Sequence, residues 1–183
     1  KGWLTAEYGM LPSSTSERMD REAAKGRQSG RTQEIQRLIG RSLRCAVNLD
    51  TLGEKTIKID CDVISADGGT RTASIIGGYV SLVRAVNYYK SNFNITKHII
   101  TNQIAAISVG VVKGIPCIDL DYIEDSNAEV DCNVVMANDG QFIEFQSTGE
   151  EAKFNKKTIL DFIELVESSM PDIFAIQNQA IEK

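Results

Sequence analysis

The sequence predicts an α+β fold, with a mixed β-sheet covered by helices. Residues 56–64 alternate between apolar and polar side chains, as in a half-buried strand, and residues 72–90 carry apolar side chains at helical spacing. Short β-branched segments separated by turn signals in the second half predict hairpins. A chain of 183 residues that is 42% hydrophobic can bury a substantial core, most simply as one domain spanning residues 1–183.

The N-terminal part predicts a strand, a loop and a helix. Residues 2–8 read as a short strand, and residues 9–30 form a polar, basic loop. Residues 32–47 form an amphipathic helix with an apolar face made by Ile35, Leu38, Ile39, Leu43 and Ala46. We expect its opposite face to be a solvated or subunit-facing surface, and it carries Arg37, Arg41 and Arg44. Arg31 belongs to neither face and lies at the edge of the apolar side, where an arginine needs an anionic partner.

The turn Asp67-Gly68-Gly69-Thr70-Arg71-Thr72 lies between the alternating strand and the next helix. Glycines let a backbone approach a ligand closely, and a helix start offers unpaired N–H groups. Arg71 adds a planar charged fork, and either threonine can cap the helix or bind an oxygen. The Walker Gly-Lys-Ser/Thr pattern is absent. The turn therefore predicts either a phosphate cradle or a purely structural turn.

The second half predicts two hairpins followed by helices. Residues 104–112 and 116–122 are joined at Lys113-Gly114, and residues 130–136 and 141–146 at Asn138-Asp139-Gly140. Asp119 and Asp121 alternate with apolar residues, so they are either the polar face of a strand or part of a group of carboxylates between residues 119 and 131. Residues 154–170 predict an amphipathic helix, and Pro171 predicts the start of another short one.

Two carboxylates suggest a cation site. Asp125 lies in a loop, where aspartate is also an ordinary turn residue, but Asp131 lies inside an apolar strand and needs a partner if it is buried. Two carboxylates and a phosphate oxygen suit Mg²⁺. No serine is paired with a base, so we expect phosphate or water from the substrate side to act as the nucleophile.

Charge is unevenly distributed along the chain. The net charge is −5, but residues 13–44 carry eight basic and four acidic side chains, and residues 114–152 carry ten acidic and no basic ones. The four cysteines lack metal-ligand spacing, so we expect reduced, buried packing residues and a cytoplasmic protein. His98 is the only histidine and is expected at the surface, which argues against a histidine triad.

Several segments closely resemble the bacterial ribonuclease PH family, in order and over essentially the whole chain. They are Gly2-Trp3-Leu4-Thr5-Ala6-Glu7-Tyr8-Gly9-Met10-Leu11-Pro12, Ser29-Gly30-Arg31-Thr32-Gln33-Glu34-Ile35-Gln36-Arg37-Leu38-Ile39-Gly40-Arg41, Asp60-Cys61-Asp62-Val63, Ala66-Asp67-Gly68-Gly69-Thr70-Arg71-Thr72, Glu124-Asp125-Ser126 and Asp131-Cys132-Asn133-Val134-Val135-Met136. The resemblance implies a phosphorolytic 3′→5′ exoribonuclease that trims tRNA precursors, and other RNAs, and releases nucleoside diphosphates. It also implies a homohexamer built as a trimer of dimers. No apolar run reaches membrane-spanning length, so we expect no membrane partner.

The resemblance assigns roles by position. Arg31, Gly69, Thr70 and Arg71 would bind inorganic phosphate as co-substrate. Asp125 and Asp131 would be the catalytic carboxylates and would hold Mg²⁺, whereas Arg18 and Arg21 would contact RNA.

The chain also departs from the family pattern. Ser13 replaces a usual arginine, and the run Glu144-Phe145-Gln146-Ser147-Thr148-Gly149 differs from the family's Gly-Thr-Ala run. We expect the family's opening strands, which precede the Gly2-Trp3 segment, to be missing from this chain. Two alternatives stay open: a catalytically silent RNA-binding or ring-scaffold subunit, and a hydrolytic nuclease on the same fold.

Overall fold

The computed structural model describes residues 1–149 and 153–182. Apart from a 3₁₀ turn at Glu22–Lys25, its helices are α1 Gly30–Arg44, α2 Leu49–Leu52, α3 Thr70–Phe93, α4 Tyr122–Ser126 and α5 Lys156–Glu182. The strands are β1 Trp3–Met10, β2 Thr56–Val63, β3 Ile104–Val112, β4 Ile115–Ile118, β5 Val130–Ala137 and β6 Phe142–Gly149.

The strands of the described chain form two sheets, and the α+β prediction is confirmed. β1 and β2 pair in parallel, with Trp3 opposite Thr56 and Met10 opposite Val63. The other four strands form an antiparallel sheet in the order β4-β3-β5-β6. Both predicted hairpins are present, and Lys113 and Gly114 have φ values of 53° and 76° in the first of them. Positive φ at both positions is the geometry of a tight hairpin turn.

The central strands of the antiparallel sheet, β3 and β5, are buried on both faces because helices cover each side. Ile104 and Ala106 of β3 pack into a core with α1, α3 and the parallel sheet. The alternate residues Ala105 and Ile107 pack into a second core with Phe162 and its neighbours on α5. Side chains alternate between faces along a strand, so burial of both faces makes β3 a continuous apolar run. Strands β3 and β5 of this sheet carry Ser108, Asp131 and Asn133, which line the candidate site.

The apolar face of α3 differs in part from the predicted one. The spacing predicts a stripe made by Ala73, Ile76, Val80, Val83 and Val86. Val86 is buried and Ala73 is exposed, whereas Ile75, Tyr79 and Leu82 are buried as well. The helix packs against α1, β2, β3 and α5. Because apolar side chains therefore occur around much of its circumference, periodicity alone does not fix which stripe lies deepest.

Pro171 does not start a new helix but lies inside α5. A proline in a helix interior removes one hydrogen bond and costs about 3 kcal/mol. Met170 is fully buried, and Ile173 and Phe174 continue the same contact with the second core. Because packing continues on both sides of Pro171, the helix runs through it.

The strand predicted to reach residue 122 ends at Ile118. Asp119 has a φ of 55°, which leaves extended geometry. Asp121 accepts a hydrogen bond from the Glu124 N–H at 2.8 Å and caps α4. The interpretation of both aspartates as the polar face of a strand was therefore wrong.

The cysteines differ in exposure, and all four are free thiols. Cys132 is buried and Cys45 is exposed, whereas Cys61 and Cys117 are partly buried. The expectation of four buried thiols was thus correct only for Cys132. Burial raises the pKa of the Cys132 thiol to about 12. His98 is exposed, as expected.

Candidate active site

A cavity of about 1160 Å³ brings together residues from distant parts of the chain. Its walls come from the loop after β1, the start of α1, the turn before α3, strands β3 and β5, and α4. Six residues predicted from the sequence line it: Arg31, Gly69, Thr70, Arg71, Asp125 and Asp131. Arg18 and Arg21 are exposed on the loop after β1 and are not among the residues that line the cavity.

The turn before α3 points the start of that helix toward the cavity. Gly69 is the N-cap residue, with a φ of 70°, a conformation that favours glycine. No side chain caps the helix there. The hydroxyl of Thr72 donates to the Gly69 carbonyl at 2.8 Å, and the Thr70 hydroxyl shares a hydrogen bond of 2.9 Å with the Tyr8 hydroxyl. The first hydrogen bond of the helix runs from the Ala73 N–H to the Gly69 carbonyl. The N–H groups of residues 70–72 therefore have no acceptor within the helix.

Asp125 and Asp131 reach the cavity from different elements. Asp125 is half-buried on α4, and its N–H donates to the Asp121 carbonyl at 2.8 Å. Asp131 is half-buried on β5, on the face opposite to Cys132. The side chain of Asn133 donates to the Asp131 carboxylate at 3.4 Å. The two carboxylates thus approach one cavity from a helix and from a strand.

Two further polar residues line the cavity and were not predicted from the sequence, Ser108 and Asn133. They lie directly opposite each other on β3 and β5, and both are buried. The Ser108 hydroxyl accepts a hydrogen bond from the Leu120 N–H at 3.1 Å and so holds the segment that leads into α4. Two features of the sequence could have identified them. Asn133 is two residues after Asp131 and therefore lies on the same strand face, and Ser108 is a polar residue within an apolar strand.

Gly110 lets β3 pack closely against β5 and against Leu120. It pairs with Asp131, and a Cβ atom there would lie 2.6 Å from the Val130 carbonyl oxygen and 2.7 Å from a Leu120 methyl group. Only glycine fits at this position without displacing the β5 backbone at Val130.

The arginine stripe of α1 is not a uniform solvated surface. Arg41 forms an ion pair with Glu144 at 2.7 Å. Arg44 donates to the Leu4 carbonyl at 3.0 Å and lies 4.7 Å from the centre of the Trp3 ring. Two of the three arginines therefore hold α1 against the rest of the fold, and Arg37 alone among them stays exposed without such a contact among the described residues.

Comparisons with known proteins agree with the fold. The model of the 3′ exoribonuclease family, domain 1, matches residues 1–86, and that of domain 2 matches residues 102–168. Ribonuclease PH of Corynebacterium kroppenstedtii is 50% identical over 183 residues, which are 100% of this chain and 72% of that protein. The crystal structure of rice (Oryza sativa) Rrp46 superposes with a TM-score of 0.77 over 98% of this chain and 73% of that one. At 16% identity it shows the shared fold alone.

No helix in the described part of the chain is long and apolar enough to cross a membrane. Both matched segments contribute to the cavity, the first with Arg31 and Arg71 and the second with Asp125 and Asp131. The chain belongs to the ribonuclease PH family of phosphorolytic 3′ exoribonucleases.

Proposed function

We propose that this cavity is the phosphorolytic active site and that it removes nucleotides from the 3′ ends of tRNA precursors. Inorganic phosphate attacks the phosphorus of the last phosphodiester. The 3′ oxygen of the shortened RNA leaves and takes up a proton, and the product is a nucleoside diphosphate. The observation that carries the proposal is the convergence of two arginines, a helix start and two carboxylates on one cavity.

Arg31, Gly69, Thr70 and Arg71 bind the attacking phosphate in this proposal. Two unit charges 4 Å apart repel by about 4 kcal/mol at an effective dielectric constant of 20. A helix N-terminus typically contributes only about 0.3–1 kcal/mol. The start of α3 is therefore too weak alone, and the two guanidinium groups supply the rest of the attraction.

Asp125 and Asp131 would hold Mg²⁺. The described residues contain no cluster of three His, Cys, Asp or Glu side chains that could hold a metal ion. Mg²⁺ does not need one, because it commonly binds through one or two carboxylates, a substrate phosphate and water. When bound, the ion would neutralise charge on the phosphate groups. The donor set therefore fits, with Asn133 orienting Asp131, and one of the two carboxylates would assist proton transfer to the leaving 3′ oxygen.

Arg18 and Arg21 are proposed to contact the RNA outside the cavity. Both are exposed on a loop that also supplies Thr15, Ser16 and Glu17 to the cavity wall. An RNA whose 3′ end enters the cavity would pass this loop. Ser13 is exposed nearby and removes one positive charge that the family pattern would supply.

Residues 1–183 are proposed to act as one domain within a cytoplasmic homohexamer. The shared cavity supports a single unit, since neither matched segment contains both arginines and both carboxylates. The hexamer rests on the family resemblance. Light scattering combined with intact mass tests it, and a monomer as the only species would contradict it.

The decisive experiment incubates the protein with a 3′-extended tRNA and Mg²⁺, with and without phosphate. We expect trimming and nucleoside diphosphates only when phosphate is present. Equal trimming without phosphate, with release of monophosphates, would identify a hydrolytic nuclease instead. Binding of tRNA without any release of nucleotides would identify a silent RNA-binding subunit.

Asp131→Asn tests the carboxylate role. We expect turnover to be nearly abolished while the oligomer stays intact, because a neutral amide is a poor Mg²⁺ ligand. Asp139→Asn, in the β5–β6 turn outside the cavity-lining set, is the matched control and should keep full turnover. Wild-type turnover in Asp131→Asn would remove Asp131 from the site.

A further inference from the structure

We infer that Asp67 is a positioning residue that locks the phosphate-binding turn to the helix carrying Asp125. The inference rests on the proposed function, because it assigns a role within that same cavity. None of the roles given above to the turn or to the carboxylates involves this side chain.

The hydrogen bonds of Asp67 join two segments that are far apart in sequence. One carboxylate oxygen, Oδ1, accepts the N–H of Gly68 at 2.9 Å and the N–H of Tyr122 at 2.7 Å. Tyr122 is the first residue of α4, and the N–H group of a first helical residue has no acceptor within the helix. Asp121, the N-cap residue of the same helix, accepts the Glu124 N–H. Asp67, from a distant part of the sequence, accepts the Tyr122 N–H and is thus a second capping residue.

Steric contact reinforces the link. A Cβ atom at Gly68 would overlap the Leu120 carbonyl oxygen and lie 2.8 Å from the Asp121 carbonyl carbon. The turn and the segment before α4 are thus in direct backbone contact beside the hydrogen bonds of Asp67. A carboxylate acceptor and a missing side chain at consecutive positions fix one docking geometry.

This link lies between the two halves of the proposed chemistry. Gly69, Thr70 and Arg71 follow Asp67 directly, and Asp125 comes three residues after Tyr122. All of these residues line the same cavity. Misplacement of reacting groups by about 1 Å can cost a hundredfold in rate. The Asp67 link therefore sets the position of the bound phosphate relative to the carboxylate that faces it.

The role requires an oxygen acceptor at a fixed reach and does not require a charge. Asp67→Asn keeps the acceptor and removes the charge, whereas Asp67→Glu keeps the charge and moves the acceptor. Asp67→Ala removes both. Asp139→Ala is the matched control, because Asp139 Oδ1 also accepts a backbone N–H in a turn, from Gln141 at 3.0 Å, but does not line the cavity.

The experiment measures initial rates of trimming of a 3′-extended tRNA against phosphate concentration, together with thermal unfolding of each variant. We expect the KM for phosphate to rise about tenfold or more and kcat to fall in Asp67→Ala and Asp67→Glu. Asp67→Asn should stay within about threefold of wild type, and Asp139→Ala should match it. A merely structural role would lower the folded fraction, and hence the rate, without moving the KM for phosphate.

Two results would overturn the inference. One is an unchanged KM for phosphate in Asp67→Ala and Asp67→Glu. The other is a folded Asp67→Asn as inactive as Asp67→Ala, which would show a charged role such as metal binding. If Asp67→Ala does not fold, the comparison of Asp67→Asn with Asp67→Glu decides. Absence of phosphate-dependent trimming by wild type would instead refute the proposed function.

Discussion

Replacement of Arg71 by alanine tests the proposed phosphate site most directly. Arg71 is partly buried on the cavity wall, where its interaction with an anion is less screened than at an open surface. Loss of a hydrogen bond to a charged group costs about 1.5–3 kcal/mol, which corresponds to an affinity loss of about tenfold to a hundredfold. We expect the KM for phosphate to rise by that factor. Arg31 remains in the cavity and keeps some affinity for the anion.

The assay separates phosphate binding from RNA binding. Initial rates are measured against phosphate concentration at saturating 3′-extended tRNA, and tRNA affinity is measured without phosphate by fluorescence anisotropy. Arg71→Lys should fall between wild type and Arg71→Ala, because it keeps the charge but loses the planar fork. Arg84→Ala is the control, since Arg84 lies on the same helix but outside the cavity-lining set. An unchanged KM for phosphate in Arg71→Ala, or an equal change in Arg84→Ala, would refute the assignment.

Three further predictions concern the scaffold. Gly68→Ala should lower both thermal stability and activity because its new methyl group meets backbone, whereas Gly77→Ala, with open space around it, should stabilise helix α3 by about 1 kcal/mol; equal melting temperatures for the two would contradict this. Gln177→Leu should lower the free energy of unfolding by about 1–3 kcal/mol, because the buried Gln177 amide on α5 donates hydrogen bonds to carbonyl groups of α3 and β3. Gln179→Leu, at an exposed position of the same helix, should cost little in the same denaturant titration. The pKa of the Cys132 thiol is raised from 9.0 to about 12 by burial, so its contribution to stability is complete below pH 9.0 and is lost as the pH rises toward 12. Between pH 9.0 and 12, the denaturant midpoint should therefore fall less steeply with pH in Cys132→Ala than in wild type. Parallel plots of midpoint against pH for the two proteins would refute this prediction.

The elements that sequence analysis predicted best are those with one buried face. The apolar residues of α1, among them Ile35 and Leu43, are buried as predicted. Prediction failed where an element has several packing partners, as with α3, or where packing outweighs a local signal, as with Pro171 in α5. It also failed at Asp119, whose left-handed backbone ends β4 earlier than the apolar pattern does. Local periodicity reports one interface, and these errors occur where tertiary contacts add another.

The candidate site was predictable to a different extent. Residue type and position pointed to Arg31, Arg71 and the two carboxylates, and all of them line one cavity. Sequence alone did not reveal how they are held together, because the holding contacts join residues far apart along the chain. Asp67 to Tyr122 and Ser108 to Leu120 are such contacts, and each uses a backbone N–H that no side-chain pattern identifies.

The turn at residues 67–72 can be proposed as a phosphate cradle only from its tertiary setting. Taken alone, its glycines and helix start are equally consistent with a structural turn. In the fold, Gly68 lies against the backbone before α4, Gly69 starts α3, and Thr70 is held by the buried Tyr8. The first glycine is thus used for docking and the second for the helix start. A substitution at each should therefore fail differently: at Gly68 by displacing α4 and Asp125, and at Gly69 by straining the helix start that lines the proposed phosphate site.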